Sequence, residues 1–236
     1  MKIDVLVPVY KLDKYRQKSL DLLRKHVAQE EGINLVVIEQ NVAVWPEFNK
    51  GWLLNIGARK SNADWLAVVD VDVVPTQSGY FQKVVRWATE RKLTWCFGWD
   101  RLIYEGKTLD KPAERDDWPS PGIQEGGIVM FSAALWNMMG GANEHIRELR
   151  GCDNDLALRA MYVSKTRSCY NTTLCHRWHP KSPMKKTKWR KNNNGILEYT
   201  LKHPSEVVRL LKKQPWGDPG GPYCRNQSFY EMRGGK

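Results

Sequence analysis

The sequence predicts an α/β domain, a mixed and mostly parallel sheet covered by helices, carrying a basic C-terminal extension. Three observations predict it. Short apolar runs rich in β-branched residues alternate with stretches of helical spacing over the first hundred residues. Those runs are apolar at nearly every position, as strands covered on both faces are. One of them, Trp65-Leu-Ala-Val-Val, runs directly into Asp70-Val-Asp72 before Pro75. In such sheets ligands sit at the carboxyl ends of strands, so this is where chemistry is expected.

The elements follow in order. Residues 3–9 read as a first strand, and Asp13 to Gln29 as a helix with Leu20, Leu23 and Val27 at helical spacing. Gly32 breaks that helix, and Ile33–Ile38 is a second strand. A helix over Lys50–Arg59 leads to the strand that begins at Trp65 and is read to end at Asp72. A helix over Tyr80–Arg91 precedes a strand over Leu93–Gly98. From Trp99 to Gly122 charge, Pro and Gly dominate, which reads as one long loop of functional length. Gly126–Phe131 is a strand and Ala133–Met139 a helix ended by Gly140-Gly141. Asp153 opens a helix from Asn154 to Val163. The chain is then basic and polar from Lys181 to Asn194, with a last helix over Ser205–Lys213 and an irregular tail past Gln214.

The 236 residues suffice for one large domain, and the expected division is a catalytic domain over 1–180 and a basic lid loop with C-terminal extension over 181–236. Mean hydropathy is −0.57 and no run of 18 apolar residues exists, so no membrane span is expected. The first strand is read to begin at Ile3, so no signal peptide is expected. Five cysteines, an odd number at irregular spacing, argue against a disulfide framework. Both point to a reducing cytoplasm. The charge of +11 is unevenly placed: 23 Lys/Arg against 22 Asp/Glu through Cys175, but 14 against 4 from His176 onward. A net of +10 in the last quarter suggests a polyanionic partner, nucleic acid first, with a solubilising tail as the alternative.

Three constellations carry chemistry. On a strand Asp70 and Asp72 point the same way, and two like charges there call for a cation or a network of donors. A divalent metal that also holds a phosphate-bearing substrate satisfies them; solvated turn residues are the plainer alternative. Asp153-Asn-Asp155 opens a helix, where Asp is a favoured cap, and equally places a general base at the rim of a cleft. Cys175-His176-Arg-Trp-His179 sets two imidazoles three residues apart, suited to Mn, Zn, Fe or Ni rather than Mg or Ca. Surface histidines, or a structural zinc site with Cys169 and Cys175, are the alternatives.

In this order Pro8-Val-Tyr10, Phe48-Asn-Lys-Gly-Trp-Leu-Leu-Asn-Ile-Gly57, Asp70-Val-Asp72, Gly126-Gly127, Asp153-Asn-Asp155 and His179 resemble the β1,4-galactosyltransferases. His176-Arg-Trp-His179 is also similar to the His-Leu-Trp-His of the chondroitin N-acetylgalactosaminyltransferases. The resemblance runs from residue 3 to about 180. It implies the GT-A (Rossmann-like, nucleotide-sugar-binding) fold and a metal-dependent inverting transfer of a hexose from a UDP-sugar. It implies Mn2+, with Mg2+ as the alternative, held by Asp72 with His179 and His176, the latter standing where the galactosyltransferases have Met. It implies Asp153 as the base that takes the acceptor proton. Pro8, Val9, Tyr10, Glu39, Phe48, Lys50, Asp70, Gly126 and Gly127 inherit contacts to the nucleotide sugar, and Asn154 and Asp155 contacts to the acceptor.

The family's Trp-Gly-Trp-Gly-Gly-Glu acceptor segment appears here as Arg147-Glu-Leu-Arg-Gly-Cys152. Two arginines replace a sugar-stacking tryptophan and an acid, which favours an anionic acceptor. Arg147 and Arg150, with Lys185, Lys186, Lys188, Trp189 and Arg190, form the expected acceptor surface, since aromatics among cations hold unstacked bases along a phosphate backbone. Hydroxymethylated pyrimidine in DNA, modified by a viral enzyme in the host cytoplasm, is the first expectation. A saccharide acceptor and a non-catalytic nucleotide-sugar or nucleic-acid binding module are the alternatives.

Overall fold

The computed structural model describes residues 1–41, 47–105, 112–113, 127–147, 151–177, 179, 189–218, 222 and 229. A central sheet is built from β1 (Ile3–Val9), β2 (Ile33–Glu39), β3 (Trp65–Val69), β5 (Trp95–Phe97) and β8 (Ile128–Ser132), in the order β2-β1-β3-β8-β5. β1 pairs parallel with both β2 and β3, while β8 pairs antiparallel with both β3 and β5. Four of the five strands therefore run one way and β8 alone runs against them.

Strand alternation sorts the sheet's side chains into two cores. Val5, Val7 and Val9 of β1, Trp65, Ala67 and Val69 of β3, and Ile128 and Met130 of β8 share one face. They pack on α1 (Lys14–Val27) and α3 (Tyr80–Glu90) through Leu20, Leu23, Phe81 and Val84. Leu6, Leu66, Val68, Val129 and Phe131 point the other way. There they meet α2 (Lys50–Lys60), α4 (Ala133–Met139) and α5 (Cys152–Ser164). Because both faces are covered, these strands read as continuous apolar runs.

α6 (Trp189–Lys202) and α7 (Pro204–Leu211) belong to that second layer, with Ile196, Val207 and Leu211 fully buried in it. Residues 189–194 were expected as basic loop and are instead the start of α6. Its inward stripe is Asn193, Ile196 and Thr200, so polar residues hide the period. The Asn193 amide donates to Arg147 O at 2.6 Å, and Thr200 Oγ1 donates to Asp155 Oδ1 at 2.9 Å. The expected loop over Trp99–Gly122 also contains β6 (Arg101–Glu105) and β7 (Pro112–Ala113). With β4 (Val73–Pro75) and β9 (Thr173–His176) these make a second sheet in the order β4-β9-β6-β7. None of Cys96, Cys152, Cys169 and Cys175 is in a disulfide.

Much of the Phe48–Gly57 segment is structural. Asn49 caps α2 by accepting from Trp52 N at 2.9 Å, and Asn55 donates to Ala142 O and Glu144 Oε1. A Cβ on Gly51 would lie 2.7 Å from Asn143 O, so only glycine lets the first turn of α2 approach that backbone. The close approach fixes Lys50 over the carboxyl edge of the sheet.

Candidate active site

α1 returns the chain to β2 on one side of β1, and α2 takes it to β3 on the other. The carboxyl ends of β1 and β3 thus flank a topological switch point, the crevice where ligands bind in open α/β sheets. β3 stops at Val69. Asp70 and Asp72 lie on the turn that follows, closed by Val73 N to Asp70 O at 3.0 Å, rather than on the strand. Strand alternation therefore does not aim them. β4 leaves the central sheet and pairs antiparallel with β9, which sets His176 opposite Val73 and beside Asp72. Arg177 N donates to Asp72 O at 2.7 Å and anchors the chain that continues to His179.

Asp72, His176 and His179 converge, with one ligand atom from each all within 4.8 Å of one another. His179 Nε2 lies 2.9 Å from Asp72 Oδ2, and His176 Nε2 3.8 Å from Oδ1. Cys175 faces away from His176 by strand alternation, and among the described residues no cysteine joins the cluster. One oxygen and two nitrogens fit a single divalent ion such as Mn, Fe or Zn with coordination positions left for a substrate. Burial works to raise the Asp72 carboxyl, but the His179 hydrogen bond and the charges of His176, His179 and Arg16 outweigh it and hold the group below the usual range.

Beside this trio runs a second polar chain. Lys50 Nζ donates to Asp70 Oδ1 at 2.6 Å and to Asp153 Oδ1 at 2.7 Å. Burial would lower the Lys50 ammonium's pKa, but the Asp153 and Asp70 carboxylates keep it above its ordinary value. Burial raises Asp70, opposed by Lys50 and reinforced by the Asp153 and Asp72 charges. The Gly127 amide donates to Asp70 Oδ2 at 2.9 Å from a left-handed backbone of φ +94°. A Cβ there would meet Trp99 Nε1 at 2.7 Å, so only glycine lets this backbone pass against the buried indole.

The remaining expected residues fall as follows. Tyr10 and Phe48 lie at the mouth with ring centroids 5.4 Å apart. Pro8 and Val9 are buried in β1, so Val9 offers its backbone, which already accepts from Gln40 N at 3.0 Å, and not its side chain. Glu39 is exposed at the end of β2. Asn154 is half-buried in the first turn of α5. Asp155 is corrected: it is 0% exposed, paired to Arg159 at 2.6 Å and bonded by Thr200, and so faces the helical layer instead of an acceptor. Arg147 pairs with Glu47 at 3.2 Å. Gly126, Arg150, Lys185, Lys186 and Lys188 lie outside the described residues, as do the side chains of Trp189 and Arg190 at the start of α6.

Arg16 is the residue the sequence reading missed. It sits in the first turn of α1, where NH1 donates to Asp13 Oδ2 at 2.7 Å and NH2 reaches His179 Nδ1 at 3.0 Å. Its signal was a cation at a helix N-terminus, against the dipole.

The chain matches no protein-family model and no curated sequence. Solved structures do match it. The catalytic domain of Drosophila β1,4-galactosyltransferase 7 in complex with xylobiose is 16% identical. That match covers 82% of this chain and 79% of that one, with a TM-score of 0.50. A mutant of the same enzyme in complex with manganese, UDP-Gal and xylobiose gives 0.51 at 14% identity, with the same coverage of 82% and 79%. The mannosyltransferase PcManGT from Pyrobaculum calidifontis, in complex with GDP-Man and Mn2+, gives 0.54 at 13% identity over 88% of this chain and 64% of that one. At these identities the likeness is one of fold, and the chain has the GT-A fold of these glycosyltransferases.

Proposed function

We propose that the protein is a metal-dependent inverting glycosyltransferase that moves a hexose from a UDP-sugar to an acceptor hydroxyl. The observation that carries this reading is the Asp72–His176–His179 cluster set beside the Lys50–Asp70–Asp153 chain at the switch point of the sheet. Support also comes from the complexes of the structural neighbours with manganese and UDP-Gal or GDP-Man.

When bound, Mn2+ would be held by Asp72, His176 and His179 and would offset charge on the diphosphate. The other roles fall to the chain's own groups. Tyr10 and Phe48 provide the aromatic surface for the nucleobase. Lys50 and the Gly127 backbone orient the diphosphate and sugar against Asp70. The acceptor oxygen forms its bond to the anomeric carbon as the bond from that carbon to the phosphate oxygen breaks, and UDP leaves with the electron pair. One Asp153 oxygen is held by Lys50; the other takes the acceptor proton.

For the acceptor, the reading favoured by charge is hydroxymethylated pyrimidine in DNA, because the net charge from His176 onward is +10. A saccharide acceptor is favoured by one specific contact: Arg147 is already paired with Glu47 and has less charge to offer a phosphate. One assay tests both. The protein is incubated with Mn2+ and UDP-glucose, UDP-galactose or UDP-N-acetylglucosamine, with and without hydroxymethylated DNA, over a range of salt. The DNA reading expects acceptor-dependent UDP release whose log-log salt slope is about −0.7 to −0.9 per phosphate contacted. Salt-independent transfer to a saccharide assigns the second acceptor. No UDP release with any donor contradicts the enzyme reading.

A further inference from the structure

Arg16 occupies an unusual position. Its guanidinium lies 4.0 Å from Asp72 Oδ2 through Nε and 3.0 Å from His179 Nδ1 through NH2, and its side chain is 17% exposed. A guanidinium only donates hydrogen bonds, so Nδ1 of His179 accepts here and Nε2 carries the proton directed at Asp72. An ion on Nε2 reverses that arrangement. Nδ1 would then carry the proton and face the NH2 donor, and the guanidinium would stand beside a divalent charge. A bound ion would therefore disfavour the Arg16–His179 contact. The side chain keeps a second anchor, NH1 to Asp13 Oδ2 at 2.7 Å, and Asp13 is itself fixed as the cap of α1 by Tyr15 N and Arg16 N. On that anchor it would stay close to Asp13 and the site. A guanidinium that gives up the imidazole acceptor would have donors to offer a phosphate oxygen.

We propose that Arg16 is a diphosphate-binding residue that stands in for the metal when the nucleotide is absent, so that metal and nucleotide diphosphate enter together. In the ligand-free protein its charge partly neutralises Asp72. An ion arriving alone meets a resident cation. An ion arriving with a diphosphate gives that cation a partner. This rests on the metal-site reading above.

The test is calorimetric titration of MnCl2 into the full chain, with and without saturating UDP, for wild type, Arg16→Gln and Arg16→Lys. Circular dichroism and urea melts confirm that the variants are folded. Arg16→Gln should bind Mn2+ alone about tenfold tighter, since it removes one unit charge beside the ion. It should bind UDP in the presence of Mn2+ about tenfold more weakly, since it loses a charge-assisted contact. Arg16→Lys should retain part of both effects. Unchanged or weaker binding of Mn2+ alone by Arg16→Gln overturns the stand-in role. Unchanged UDP affinity overturns the diphosphate contact. A wild type that takes up no Mn2+ even with UDP fails the metal-site reading itself and this inference with it.

Discussion

The proposed base, Asp153, is held in place by a buried cation. Asp153 lies at the start of α5 and is gripped by Lys50 at 2.7 Å, which fixes one oxygen and keeps a cation on the carboxylate. Asp153→Asn should leave UDP and Mn2+ binding near wild type and lower single-turnover transfer by about 10²- to 10⁴-fold. A variant retaining more than about a tenth of the rate makes Asp153 a helix-end acid and places the base elsewhere. A second residue-scale expectation concerns pH. Burial, with the Arg147 charge added, pulls His145 down to about 3. Between that value and an unfolded value of about 6.5 the unfolded chain binds a proton that the folded chain does not. Stability should thus fall as pH drops below about 6.5, by up to ~1.4 kcal/mol per pH unit from this group. In His145→Gln the slope of urea-derived stability between pH 6.5 and 5 should flatten by about one proton. An unchanged slope contradicts the assignment.

Elements show which parts of the sequence carry readable signals. β1 and β3 were legible because strands covered on both faces are apolar nearly throughout, the half-buried edge strand β2 because of its β-branched run after Gly32, and α1 because Leu20, Leu23 and Val27 repeat at helical spacing. α6 was not, because Asn193 and Thr200 occupy its inward stripe for hydrogen bonding. The Asp70–Asp72 pair was found for a partly wrong reason: the strand ends at Val69, and β9, not strand alternation, completes the cluster. The same layer explains Asp155, which reads locally as an acid of the first turn but is buried against Arg159. Arg159 in turn donates to Met139 O at 2.9 Å and Gly141 O at 2.6 Å, so the pair ties α4, α5 and α6 together. Asp155→Ala should cost about 3–5 kcal/mol in urea unfolding by leaving a buried cation unpaired, and adding Arg159→Met should recover part of that. A loss under about 1 kcal/mol contradicts this account of the layer.

At the scale of the molecule, charge and fold separate two questions. The central sheet and the proposed metal and nucleotide-sugar residues lie within residues 3–180, where opposite charges nearly balance and local patterns are strong, while α6 and α7 complete the second core layer. The acceptor proposal rests on the basic last quarter, where residue type alone suggests a polyanion and sequence gives no geometry. Arg16 escaped the sequence reading because its partners, Asp72 and His179, come from β3's turn and the chain beyond β9, far away in sequence. The central claim is that Asp72, His176 and His179 hold a divalent ion that in turn holds a nucleotide diphosphate. The most direct measurement is UDP affinity by calorimetry in Mn2+ and in EDTA, for wild type and Asp72→Asn. The account predicts that wild-type UDP binding weakens at least about tenfold in EDTA, and that Asp72→Asn binds equally weakly in both, the site having lost its charged ligand. Equal UDP affinity for wild type in Mn2+ and in EDTA contradicts it.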